Sequence, residues 1–153
     1  MFALTREVYD DLIAYAREGA PEEVCGVLGG RSESDHREDS ATANGEARAV
    51  SALADRYRRA ENVAADPTRA YELDPEEQLA HMQAIEDAGR DVVGFAHSHP
   101  NGPPKPSATD ERQATWPGYH YLIVSLDGTE PYVGCWRWTG EEFAAEPLGI
   151  RSR

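Results

Sequence analysis

Four prolines crowd the seven residues from Pro100 to Pro106, directly after an apolar run, Asp91 to His97, that leads into His97-Ser98-His99. Proline lacks an N–H and fixes φ near −65°, so the segment belongs neither in a helix interior nor in a central strand. The chain has to change character there. A buried strand over Asp91 to His97 delivers two histidines to its end, and a stiff loop carries the backbone away. Residues two apart on a strand point the same way, so both imidazoles can reach one point.

The flanking segments read as an α+β pattern. Thr5 caps a helix that carries Val8, Leu12, Ile13 and Ala16 on one stripe and stops at Gly19, with Pro21 beyond. Val24 to Leu28 reads as a buried strand closed by a Gly29-Gly30 turn, followed by a polar loop from Arg31 to Glu46. A strand is expected near Ala47 to Leu53, then an irregular stretch from Ala60 to Tyr71 with a turn at Asp66-Pro67. Asp74-Pro75-Glu76-Glu77 opens a second helix, with Glu77 closing a capping box and Leu79, Met82 and Ile85 forming its apolar stripe up to Gly89. Ser107 to Thr115 suits a short helix. Tyr121 to Leu126, Tyr132 to Trp138 and Glu142 to Pro147 suit strands joined by turns at Asp127-Gly128 and Thr139-Gly140. The expected architecture is an α+β domain, a mixed, largely antiparallel β-sheet flanked by helices, spanning residues 1–150 as one domain with 151–153 as a C-terminal tail.

After His99 the chain reaches Ser107 and, three residues later, Asp110, whose carboxylate on the first turn of a helix can fold back towards the imidazoles. Two histidines and an aspartate leave a fourth position for water, the arrangement of catalytic rather than structural zinc. Simpler explanations exist for each piece. A His-x-His pair arises by accident, and Ser107-Ala-Thr-Asp110 is also a capping box; capping and ligation are compatible. Cys25 reads as a small buried residue rather than a thiol nucleophile. His81 and His36 read as solvated, His120 as a residue close to the site, and the three tryptophans as core residues, one of which is able to line a groove.

The segment His97-Ser98-His99-Pro100, with Ser107, Asp110 and the upstream Pro21-Glu22-Glu23-Val24-Cys25-Gly26, resembles the JAMM (MPN-plus) metalloprotease signature. The likeness extends over roughly Leu4 to Trp138, including Asn62 to Asp74, Val92 to Phe95 and Tyr121 to Ser125. It implies a cytidine-deaminase-like fold, with Zn2+ held by His97, His99 and Asp110, Glu23 as general acid/base and Ser107 as hydrogen-bond donor to the oxyanion. Glu22 competes with Glu23 on the residues alone; position relative to the proline and glycine of the signature favours Glu23. The implied activity is hydrolysis of the bond after the C-terminal Gly-Gly of a ubiquitin-like, sulfur-carrier-like small protein in its conjugates. The alternatives are a processing peptidase that trims a sulfur carrier's C-terminus and a non-catalytic scaffold, against which the complete residue set counts.

Charge narrows the partners. With 28 acidic residues against 15 basic, the net charge is −13, and Lys105 is the single lysine. Binding phosphates needs clustered Lys and Arg, so nucleic acid is excluded as the main partner. A carboxylate surplus with almost no lysine fits a protein kept soluble at high salt, hence a halophilic host. No stretch approaches the roughly 20 apolar residues of a membrane span, the first residues lack a signal peptide's apolar run, and two distant cysteines make no disulfide framework. A cytoplasmic protein with no membrane partner is expected.

Overall fold

The computed structural model describes residues 1–32 and 50–152. Among these, three helices, α1 (Arg6–Gly19), α2 (Pro75–Asp87) and α3 (Ala108–Gln113), accompany eight strands. The strands are β1 (Phe2–Thr5), β2 (Cys25–Ser32), β3 (Ala52–Ala60), β4 (Asp91–His99), β5 (His120–Ser125), β6 (Tyr132–Trp138), β7 (Phe143–Ala145) and β8 (Leu148–Arg151). They form one sheet in the order β7-β6-β5-β4-β2-β3-β1-β8. β4–β5, β1–β3 and β1–β8 pair parallel; β2–β3, β2–β4, β5–β6 and β6–β7 pair antiparallel. The expected mixed α+β sheet with flanking helices is what forms.

Each face of the sheet is closed by a helix. Thr5 caps α1 by accepting from the Val8 N–H at 3.2 Å, and the stripe of Val8, Leu12, Ile13 and Ala16 packs with Phe2, Leu4, Leu28, Leu122 and Val124. On the other face Ile85 of α2 packs with Val27, Phe95, Tyr121 and Trp138. Fully burying one such aliphatic side chain is worth about 1.5–3 kcal/mol, so these two clusters hold the central strands, β4 among them, in register.

Several expectations need correction. Gly29-Gly30 is not a turn: β2 runs through both to Ser32, with register shifts at this point. A Cβ on Gly29 would stand 2.7 Å from Ile85 Cγ2, and one on Gly30 would collide with the Leu53 carbonyl, so the glycines allow close packing rather than reversal. The strand expected near Ala47 to Leu53 begins at Ala52 and continues to Ala60. Of the expected Arg31–Glu46 loop, Arg31 and Ser32 are strand; residues 33–46, His36 among them, lie outside the described residues. β1 and β8 were not expected, and Arg151, assigned to the tail, is the last residue of β8. Asp74 caps α2 through the Glu77 N–H, but the Glu77 carboxylate turns to the Glu61 N–H and His81 instead of completing a capping box. Leu79 leaves the apolar stripe and is 66% exposed. No described helix is long and apolar enough to cross a membrane.

Candidate active site

Phe95 packs on the α2 face, and alternation along β4 puts His97 and His99 on that same face at the strand's end. Their Nε2 atoms are 3.1 Å apart. Asp110 Oδ2 lies 3.2 Å from the first and 3.1 Å from the second, and all three side chains are buried. Three ligand atoms around tetrahedral zinc at bond lengths of about 2.0–2.1 Å are separated by roughly 3.3 Å, so this triangle can hold one such ion.

Local bonds aim each group. Asp110 is fixed by a capping box: Ser107 Oγ accepts from the Asp110 N–H at 3.0 Å, and Asp110 Oδ2 accepts from the Ser107 N–H at 2.9 Å. The two explanations of Ser107 and Asp110 therefore coexist, and the oxygen that closes the cap faces the imidazoles. Ser107 is exposed, and its hydroxyl proton stays available to a group arriving from solvent. His99 Nδ1 lies 2.9 Å from the Pro103 carbonyl, which only accepts; Nδ1 thus carries the proton and Nε2 presents its lone pair. The proline-rich loop supplies that carbonyl. The His97 ring is stacked by Tyr71 at 4.2 Å.

Glu23 enters from the segment between α1 and β2 and is 8% exposed. Its carboxylate and the two imidazoles offer ligand atoms all within 4.8 Å of one another. Two triads therefore share the histidines. The tighter, with Asp110, suits direct coordination, and the looser, with Glu23, suits a carboxylate acting through water. Glu22 is exposed and stays outside this group. Among the described residues, two buried side-chain polar atoms lack a hydrogen-bond partner, Glu23 Oε1 and His97 Nδ1. Orphaned buried polar atoms are rare in folded proteins, and two in one site mark a place built for something arriving from outside.

The electrostatics agree. Burial pushes the Glu23 carboxyl up to about 7; the charge on His99 pulls it back and Asp110 pushes it further. Burial likewise lowers His97 against the pull of Asp110. Burial also disfavours charge on His99, but the bonds to Asp110 and Pro103 outweigh it and raise its pKa. Burial works against ionised Asp110 too, yet the imidazoles and the Ser107 N–H hold it far below the usual carboxylate range. An ionised carboxylate between two imidazole nitrogens favours a positive charge at their centre.

Other sequence candidates fall elsewhere. Cys25 and Cys135 are buried free thiols, and burial drives the Cys25 pKa up to about 12, unsuited to a nucleophile. His120 sits opposite Gly94, at the far end of the β4–β5 pair, bonded to Ser51 and Glu146 rather than to the site. His81 is not simply solvated: it takes the Arg58 Nε–H at 2.8 Å and meets Glu77 at 3.0 Å. Trp138 is core, whereas Trp116 lines a cavity of about 390 Å3 with Tyr71, Leu73, Phe95 and Tyr121 beside the histidines. Tyr71 and Asn62, which bonds the Glu23 carbonyl, were missed as individual residues, because loop positions without periodicity give no sign of what they touch.

Residues 5–139 match the family described as prokaryotic homologs of the JAB domain. A desampylase of Haloferax volcanii is 47% identical over 145 residues, covering 92% of this chain and 90% of the relative. A CysO-cysteine peptidase of Mycobacterium tuberculosis is 34% identical over 125 residues, 82% of this chain and 73% of that one. The solution structure of a protein from Desulfitobacterium hafniense superposes with a TM-score of 0.82 at 28% identity, over 100% of this chain and 94% of that chain.

Proposed function

The chain belongs to the prokaryotic JAB-domain family, and from that premise we propose that it is a zinc isopeptidase that cleaves the bond after the C-terminal Gly-Gly of a small ubiquitin-like, sulfur-carrier-like modifier. The observation that carries the reading is the pairing of a metal-sized triangle, His97, His99 and Asp110, with a buried carboxylate, Glu23, that offers an oxygen within 4.8 Å of both imidazoles and has one oxygen without a hydrogen-bond partner. In this reading His97, His99 and Asp110 would hold zinc, which when bound would supply Lewis acidity towards a carbonyl oxygen and lower the pKa of water. Glu23 takes the proton of the attacking water and passes it to the leaving amine, a relay suited to a carboxyl raised towards neutrality. The Ser107 hydroxyl donates to the oxygen that gains charge. Tyr71 keeps the His97 ring in place.

The relatives' names, desampylase and CysO-cysteine peptidase, support a modifier tail as substrate. The second name also supports a processing peptidase acting on the same tail. One assay separates them: incubate the zinc-loaded protein with a Gly-Gly-tailed modifier joined to a target lysine and, separately, with the modifier extended by one residue. Release of intact modifier from the lysine conjugate is the expected result. Cleavage of the extended form alone moves the activity to processing, and cleavage of neither overturns the hydrolase reading. Two free buried thiols suit a reducing cytoplasm. The charge of −13 with a single lysine, alongside a Haloferax relative, supports activity at high salt.

A further inference from the structure

Glu23 lies two residues before β2 begins, so the sheet's ladder does not hold it. Its backbone is instead gripped by the irregular segment 62–73. The Glu23 N–H donates to the Pro67 carbonyl at 2.7 Å, and the Glu23 carbonyl accepts from Asn62 Nδ2 at 2.8 Å. The same Asn62 amide group donates to the Ala70 carbonyl at 3.0 Å, while its Oδ1 accepts the Ala64 and Glu72 N–H groups, each at 3.0 Å. Two donors and two acceptor sites are the whole capacity of an amide side chain, and all four are engaged. The bridge between Asn62 and Leu73 closes the segment, so one side chain both folds it and ties it to Glu23.

We propose that Asn62 is the positioning residue for Glu23, fixing the glutamate backbone so that its carboxylate faces the paired imidazoles. The inference rests on the reading of Glu23 as proton carrier. With Glu23 Oε1 unpartnered, no hydrogen bond to that oxygen aims the carboxylate, and its place depends on the backbone. The same peptide unit is held from its other edge, the Val24 N–H donating to Ser98 Oγ at 2.9 Å, so Asn62 and Ser98 together set its plane and loss of Asn62 frees the carbonyl edge. Displacement of a reacting group by about 1 Å costs on the order of 10²-fold in rate. The chemistry asks for an amide: aspartate keeps the acceptor for Ala64 and Glu72 but loses both donors and sets a negative charge against two carbonyl oxygens.

The test is a double-mutant cycle in zinc-loaded protein with Asn62→Ala, Glu23→Ala and the pair, reading kcat, KM, zinc content and melting temperature on a Gly-Gly-tailed lysine conjugate. Asn62→Ala is expected to lower kcat by about 10- to 100-fold with zinc retained, and Asn62→Asp to lose nearly as much. On the Glu23→Ala background the same change should cost less than about 2-fold, because two residues acting as one unit are not additive. An equal loss on both backgrounds overturns the proposal and assigns Asn62 to substrate binding or folding alone. Hydrogen exchange at the Glu23 amide gives a readout independent of turnover: faster exchange in Asn62→Ala is expected, and unchanged protection overturns the clamp. An inactive wild type would place the error in the proposed function, and the exchange result would still decide the clamp.

Discussion

Glu23 and Glu146 are both largely buried carboxylates near histidines, at opposite ends of the β4–β5 pair, and their environments shift them in opposite directions. Burial would raise Glu146 as well, but hydrogen bonds from His120 and Ser51 and the charges of His120 and the N-terminal ammonium outweigh it and hold the carboxyl at about 2. His120 Nε2 is 3.1 Å from one oxygen, and Ser51 Oγ donates to the other. Glu23 has an oxygen with no partner and rises to about 7 through burial first. The same residue types thus build two different devices. One closes its polar groups on themselves and ties β5 to the segment after β7; the other leaves them open towards a cation-sized gap.

The comparison breaks most visibly if the open cluster is taken apart. His97→Ala combined with His99→Ala is expected to abolish both zinc content and turnover, measured by metal analysis and conjugate cleavage. Glu23→Ala should keep zinc and lose turnover by roughly 10²–10⁴-fold, the usual weight of general acid–base catalysis. An active Glu23→Ala beside a dead Glu22→Ala would move the proton transfer to Glu22 and contradict the assignment to Glu23. Ser107→Ala should keep zinc with a smaller loss, about 10²-fold in kcat, as for removal of one oxyanion donor.

Opposite shifts also give opposite pH dependence, read from unfolding of metal-free protein. Glu146 is depressed, so its contribution is present above pH about 4.5 and is lost as pH falls towards 2; Glu146→Gln should flatten wild-type acid sensitivity in that window. Glu23 is raised, so the folded state holds its proton longer, and stability falls as pH climbs from about 4.5 through 7; Glu23→Gln should remove that slope. Each effect should be at most about 3 kcal/mol, the linkage value of about 1.4 kcal/mol per pKa unit reduced by solvent screening. Slopes of the same sign would erase the distinction between the two clusters.

How far the sequence revealed this depended on what each residue touches. His97, His99, Ser107 and Asp110 sit on short-range geometry, a strand's alternation and a first helical turn, and their meeting was readable from spacing. β1 and β8 escaped notice because four-residue strands carry two side chains per face, too few for a period, and β1 passes straight into α1 at Thr5. Gly29-Gly30 looks like a turn by composition, and only the approach of Ile85 and Leu53 explains the glycines. His120 directly precedes the apolar run of β5 and was expected close to the site, but β5 pairs parallel to β4 in a register that takes it to the other end. Asn62 and Tyr71 act through partners 39 and 26 positions away, Glu23 and His97, distances over which no local pattern carries information.

The most direct measurement is anomalous diffraction at the zinc edge from crystals equilibrated with zinc. The expected result is one strong peak about 2.0–2.2 Å from His97 Nε2, His99 Nε2 and Asp110 Oδ2, with Glu23 outside direct bonding range and no peak at His120 and Glu146. A peak ligated by Glu23 in place of Asp110, or one at the His120–Glu146 cluster with the His97–His99 gap empty, would contradict it.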